Sequence, residues 1–213
     1  MKEFKYLPII FALIWFPSAA PLQGKSMPLL LAANQKTSTV DAATFEHVHS
    51  LAVESGGEAL FLGAHKGLFR SDDRGRSWKP VPISSKHTHL DVMDIAADPK
   101  DPKTIYLGTH EAGVLKSTDG GRTWKEASSG LGGPDIHGLA IDPNMPFKLH
   151  AAVREKGEGI FRTTDQGGKW LRVDDGPRGE IKVLRSVNIP TGMGGIFLYA
   201  GTSTGLLRSP DCF

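Results

Sequence analysis

The sequence predicts an all-β fold: a β-propeller built of four-stranded blades, three complete and a fourth cut short. Three observations predict it. An eight-residue pattern, [S/T]-x-D-x-G-x-x-W, occurs three times in 213 residues; its copies stand 46 residues apart; and short apolar runs recur at near-constant offsets before each copy. Four short strands per 40 to 50 residues is the size of one propeller blade.

The three copies are Ser71 to Trp78, Ser117 to Trp124 and Thr163 to Trp170. Their aspartates, Asp73, Asp119 and Asp165, define the 46-residue step, and the next step falls on Asp211, where Ser209-Pro210-Asp211 opens a fourth copy that stops at Phe213. A hydroxyl and a carboxylate two residues apart can accept hydrogen bonds from the N–H groups of a tight turn. Gly75, Gly121 and Gly167 supply the positive φ such a turn needs. Trp78, Trp124 and Trp170 then start the next strand and can cover the loop with an indole ring. Each copy therefore reads as a hairpin clamp. One carboxylate per copy is too few oxygens for a Ca²⁺ site.

Upstream of each copy lie two strand-like runs: Leu60–His65 with Gly67–Arg70, Ile105–His110 with Gly113–Lys116, Leu149–Arg154 with Gly159–Arg162, and Leu198–Ser203 with Gly205–Arg208. An innermost strand precedes them at His49–Val53, Met93–Ala97, His137–Ile141 and Arg185–Ile189. The pairs Asp98-Pro99, Asp101-Pro102 and Asp142-Pro143 fall between first and second strands, where proline starts a turn without breaking a ladder.

The N-terminus has the form of an export signal over residues 1–33. Lys2 and Lys5 precede the apolar run Leu7 to Phe16, and small residues follow, with cleavage after Ala20 or Ala33. The run is too short to span a bilayer, so no membrane span remains after its removal. Loss of Lys2, Lys5, Lys25 and Glu3 takes the formal charge from +2 to 0, which argues against a nucleic-acid partner. Residues 34–44 are then a linker or a closing strand, and 45–213 the propeller. Cys212 is the single cysteine, so no disulfide forms within the chain.

On these motifs the sequence resembles the Asp-box, or BNR, repeat family over about residues 45 to 213. Tyr106-Leu107-Gly108-Thr109 and Ile141-Asp142-Pro143 also resemble exported bacterial BNR-repeat proteins named glycosyl hydrolases. The resemblance implies a propeller with the boxes at its periphery, away from any active centre. It is poorly specific for activity, because the family includes sialidases, xyloglucan hydrolases, sortilin-type receptors and photosystem II assembly factors. A sialidase-like site is not expected, since no Arg-Ile-Pro segment occurs in the chain.

For catalysis, a glycosidase needs two carboxylates facing across a cleft, and Glu111 and Glu155 form the best pair by repeat position. Histidines offer a second set of candidates. Repeat alignment pairs His49 with His137, with Met93 and Arg185 in the other blades, and pairs His65 with His110, with Arg154 and Ser203. These positions are expected to approach the central channel from its two ends. His47, His87 and His89 add imidazoles in connecting segments. No spacing matches a defined metal signature, so the expectation is polar strand ends without metal or other cofactor; the alternative is a metal or anionic ligand held by His and Arg. The functional expectation is an exported, non-catalytic binding or assembly module with a protein or carbohydrate ligand at a propeller face. The alternative is a glycoside hydrolase whose catalytic residues lie mostly outside this chain. A truncated fourth blade further predicts that the chain is part of a longer protein, or half of a propeller completed by a second copy.

Overall fold

In a computed structural model of the chain, residues 45–84, 90–173, 180–188 and 195–209 are described. The expected signal segment, the linker over 34–44, His87, His89, Asp211 and Cys212 lie outside the described residues.

Among the described residues fifteen antiparallel strands form four sheets, arranged as a four-bladed β-propeller. Blade one is β1 (Val48–Val53), β2 (Leu60–Ala64), β3 (Gly67–Ser71) and β4 (Lys79–Val81). Blade two is β5 (Val92–Ala97), β6 (Ile105–Thr109), β7 (Val114–Ser117) and β8 (Lys125–Glu126). Blade three is β9 (Ile136–Ile141), β10 (Leu149–Val153), β11 (Gly159–Thr163) and β12 (Leu171–Val173). The fourth sheet has three strands among the described residues, β13 (Ile181–Val187), β14 (Phe197–Thr202) and β15 (Gly205–Arg208). No helix among the described residues is long and apolar enough to cross a membrane.

The innermost strands pack in sequence, β1 on β5, β5 on β9 and β9 on β13. Alternate residues of a strand point to opposite faces, so each inner blade feeds two cores. From β6, Ile105 and Leu107 join Phe61 and Leu68 of blade one, whereas Tyr106 joins Leu149, Ala151 and Phe161 of blade three. On β10, Ala152 turns the other way, toward Leu184 and Leu198 of blade four. Fully burying a side chain of this size stabilises by about 1.5–3 kcal/mol, so the three larger clusters hold blade to blade, while a smaller one, Phe45, Leu62, Ala64 and Phe69, packs within blade one.

Close approach of the blades explains the glycine in the second strands. A Cβ on Gly63 would lie 2.8 Å from the Val92 carbonyl oxygen, and one on Gly108 would lie 2.9 Å from Ile136 Cγ2.

Each repeated turn closes in the same way. Ser117 Oγ accepts from Gly121 N at 2.9 Å and donates to Asp119 Oδ1 at 2.8 Å; Asp119 then accepts from Thr123 N at 2.9 Å and from the Thr123 hydroxyl at 2.6 Å. Ser71, Asp73, Gly75 and Ser77 repeat those bonds, and Thr163, Asp165, Gly167 and Lys169 repeat all but the last hydroxyl. Hydroxyl donation from Ser77, backed by its backbone N–H, holds the Asp73 carboxyl down to about 2, and Thr123 does the same for Asp119. Trp78 and Trp124 lie against Gly75 and Gly121 as ring covers. Trp170 differs: it is buried in the core between blades two and three, with its Nε1 donating to Ala127 O at 2.7 Å. All three tryptophans stand one residue before the fourth strand. In the fourth copy, Ser209 Oγ accepts from Leu198 N.

Two expectations about the innermost strands need correction. In blade four the strand runs from Ile181 to Val187, so the residue equivalent to His49, Met93 and His137 is Lys182 and not Arg185. Leu184 decides the register, because it fills the slot facing the preceding blade that Ile95 fills in blade two and Leu139 in blade three. Arg185 therefore sits three residues further along, opposite Tyr199.

Candidate functional site

Three positions recur where the innermost and second strands of each blade meet. Immediately before the innermost strand stand His47, Asp91, Asp135 and Glu180. The second residue of that strand, His49, Met93, His137 or Lys182, coincides with a register shift in every blade, and such a bulge re-aims the side chain it carries. The residue after the second strand is His65, His110, Arg154 or Ser203. Backbone bonds fix the first and third positions together: His65 N to His47 O, His110 N to Asp91 O and Arg154 N to Asp135 O, at 2.8 to 3.1 Å.

These positions meet on one rim, across the junctions between blades. The two histidine positions were expected at opposite ends of the channel, but His49 Nε2 lies 3.2 Å from His65 Nδ1. The bulge turns His49 back toward the strand end. Asp91, from the next blade, stands 3.2 Å from His49 Nε2 and 2.5 Å from His65 Nδ1. The His47 ring packs edge-on against His65, with centroids 4.9 Å apart. Between blades two and three, His137 Nε2 stands 3.0 Å and His110 Nδ1 3.6 Å from Asp135 Oδ1. Arg154 Nη1 lies 3.4 Å from His137 Nε2 and 3.6 Å from Glu180 Oε1. So His49, His65, His110, His137 and Arg154 share a rim, while Arg185 does not.

Burial sets the electrostatics. Asp135 is 4% exposed and His137 9%. Loss of solvent pushes the Asp135 carboxyl up against the pull of His137, His110 and Arg154, and pulls His137 down against Asp135. His49 is likewise lowered by burial, opposed by Asp91.

Deeper along the axis, Asp94 joins all four blades. It accepts from Ser50 Oγ at 3.0 Å, from Leu139 N at 2.8 Å, and from Arg185 through two guanidinium nitrogens at 2.6 and 3.1 Å. A bidentate pair of this kind fixes geometry as well as charge, and it occupies the carboxylate fully. Arg185 thus serves the axis of the fold.

Asp91, Asp135 and Asp94 were not anticipated from sequence. The signal for the first two was present: each immediately precedes an innermost strand, 44 residues apart. Glu111 and Glu155 stand one residue beyond His110 and Arg154, both on exposed turns, Glu155 with φ of 60°.

Comparisons follow the fold. No family model matches the chain. The chain is 29% identical over 130 residues to xyloglucanase Xgh74A of Acetivibrio thermocellus, and 28% identical over 122 residues to the oligoxyloglucan-reducing end-specific xyloglucanase of Emericella nidulans. These matches cover 52% and 53% of this chain but 15% of each enzyme. Among solved structures it resembles the GH74 xyloglucanase from Xanthomonas campestris, with a TM-score of 0.58 at 23% identity over 77% of this chain and 29% of the enzyme. It also resembles YCF48 bound to D1 peptide, with a TM-score of 0.55 at 17% identity over 73% of this chain and 48% of YCF48. A third neighbour is the extracellular domain of BT4673 from B. thetaiotaomicron, with a TM-score of 0.57 at 15% identity over 79% of this chain and 22% of that one. These likenesses establish the propeller fold.

Proposed function

We propose that the chain is a non-catalytic Asp-box propeller that works outside the cytoplasm and binds a protein or glycan partner at its polar rim. The rim is the observation that supports this. It gathers imidazoles, carboxylates and a guanidinium from three blades on one face, with His65 and His110 each 38% exposed by side chain. Imidazole and guanidinium edges can donate to carbonyls, carboxylates and sugar hydroxyls, and ring faces can pack on a peptide or a pyranose. Neighbouring propellers include one bound to a peptide and one that is an extracellular domain, in keeping with such a face and with export. A second copy of the chain is a further partner.

The likeness to xyloglucanases favours one other reading, a glycoside hydrolase whose catalytic groups lie mostly outside residues 1–213, with Glu111 and Glu155 contributing. The two readings separate in a screen of fluorogenic aryl glycosides and xyloglucan oligosaccharides against the purified chain. The binding reading expects no turnover and saturable binding of a glycan or peptide that weakens in His110→Ala. Turnover that disappears in Glu111→Gln would overturn it.

A further inference from the structure

The two triads on the rim share a feature that ion pairing between their members does not account for. In each, two ring nitrogens and a carboxylate oxygen from two blades converge so that all three lie within 4.8 Å of one another. Yet Asp91 Oδ1 and both oxygens of Asp135 are buried without a hydrogen-bond partner. His137 Nε2 stands 3.0 Å from Asp135 Oδ1 without the alignment of a hydrogen bond. A buried carboxylate left this way costs several kcal/mol unless a charge satisfies it. The expected solution in a propeller built from repeats would be the one used at Asp94, where N–H and guanidinium donors fill every lone pair.

We propose that His49, His65 and Asp91 form one site for a divalent transition-metal ion of the Zn²⁺ class, and that His110, Asp135 and His137 form a second, whose strand histidine comes from the aspartate's own blade and not from the blade before it. The geometry fits the ion. Zn²⁺ takes nitrogen at about 2.0–2.1 Å and carboxylate oxygen at about 2.0–2.2 Å in tetrahedral sites, which separates neighbouring ligand atoms by about 3.3–3.5 Å. In the second triad the nitrogen-to-oxygen distances are 3.0 and 3.6 Å; in the first, His49 Nε2 is 3.2 Å from both His65 Nδ1 and Asp91 Oδ1, while His65 Nδ1 and Asp91 Oδ2 stand 2.5 Å apart in a hydrogen bond that the ion would replace. Small side-chain rotations close the remainder. Two imidazoles and one carboxylate make three protein ligands, and the exposed His65 and His110 edges leave a fourth position facing solvent, open to water or to a partner's carboxylate.

The sites also differ in their surroundings. Arg154 Nη1 lies 3.4 Å from His137 Nε2, a cation at the edge of the second site, while the first has the His47 imidazole packed against His65. The first site is therefore the tighter, and removal of the guanidinium should tighten the second. Asp135 and His137 stand two residues apart, but the remaining ligand of each triad is remote in sequence because it comes from an adjacent blade; the first triad spans 42 residues and the second 27.

The test uses the whole chain. After incubation with Zn²⁺ and desalting, metal content by mass spectrometry and affinity by calorimetric titration should show two equivalents bound. His49→Ala should lose the tighter equivalent, Asp135→Ala the weaker, and Arg154→Ala should strengthen the weaker at least severalfold. Co²⁺ should give the intense visible bands of a tetrahedral site in the parent and not in the double variant His49→Ala, Asp135→Ala, whose fold is checked by circular dichroism. Where Asp135→Ala does not fold, His110→Gln serves for the second site. Absence of saturable Zn²⁺ binding in the parent, or equal binding by the parent and a folded double variant, overturns the proposal.

Discussion

Burial strips the His150 imidazole of water on β10, and with Arg162 and Lys148 adding positive charge nearby, its pKa is pulled down to about 3. The unfolded chain binds that proton near 6.5, so the native state is the weaker proton acceptor. Stability contributed by the neutral ring is whole above pH 6.5 and is lost as pH falls toward 3. At about 1.4 kcal/mol per unit the loss is on the order of 4–5 kcal/mol across that window. His150→Leu removes one titrating group at similar volume, and its urea-unfolding free energy should fall less steeply from pH 6.5 to 4 than the parent's, the remaining slope coming in part from His49 and His137, which burial also lowers. Equal slopes for the two proteins would refute this account of His150. Below about pH 4 both should weaken together, since Asp73 and Asp119, held down to about 2 by their turn hydroxyls, release that stabilisation only as they protonate.

The turn is the element on which the repeat depends, and its glycines differ in what they must do. Gly120 and Gly121 both have positive φ, 75° and 85°. A Cβ on Gly120 meets open space, whereas one on Gly121 lies 3.3 Å from the Phe61 ring of the preceding blade and 3.5 Å from Trp124. Alanine should therefore cost about 1–2 kcal/mol at Gly120 from backbone strain alone and more at Gly121. Thermal unfolding of the two variants decides it, and equal melting points would mean that the turn does not register the blades.

Other contacts tie the turns across blades as well. Arg70 Nη1 donates to Gly120 O at 3.0 Å, and Lys116 Nζ to Gln166 O at 3.2 Å. The turn, the strand order and the blade count were legible in the sequence because each rests on local chemistry: a hydroxyl, a carboxylate, a glycine and a tryptophan at fixed offsets. The rim was legible only in part. Histidines at repeat-equivalent positions were visible, but the bulge that turns His49 toward His65 leaves no mark in composition. Asp91 belongs to the blade after His49 and His65, and Asp135, although two residues from His137, also faces His110 of the blade before it, pairings across blades that no local spacing shows. Arg185 was misplaced for a related reason, since the step to β13 is one residue longer than the two steps before it and only the packing of Leu184 fixes the register.

At the scale of the molecule, the first and last blades each present a face that the inner blades bury. On β1, Leu51 and Val53 are 59% and 56% exposed, although Ile95 and Leu139, at the positions equivalent to Leu51, are buried against the preceding blade. On blade four, Val183 and Leu206 are 39% and 72% exposed, whereas Leu68, equivalent to Leu206, is buried against the following blade. These two faces are the two halves of the interface already used three times within the chain. Blade four of one copy can therefore pack on blade one of another by the same register, and two copies related by a twofold axis would close both junctions at once into a ring of eight blades, within the range propellers adopt. Light scattering on the purified chain should give a dimer. Leu206→Glu or Leu51→Glu should each convert it to a monomer with unchanged circular dichroism, since a charge on either face is buried only at the junction. A protease-resistant monomer of the parent chain at micromolar concentration would instead mean that the four blades close on themselves, and these two substitutions would then lower the melting temperature without changing the mass.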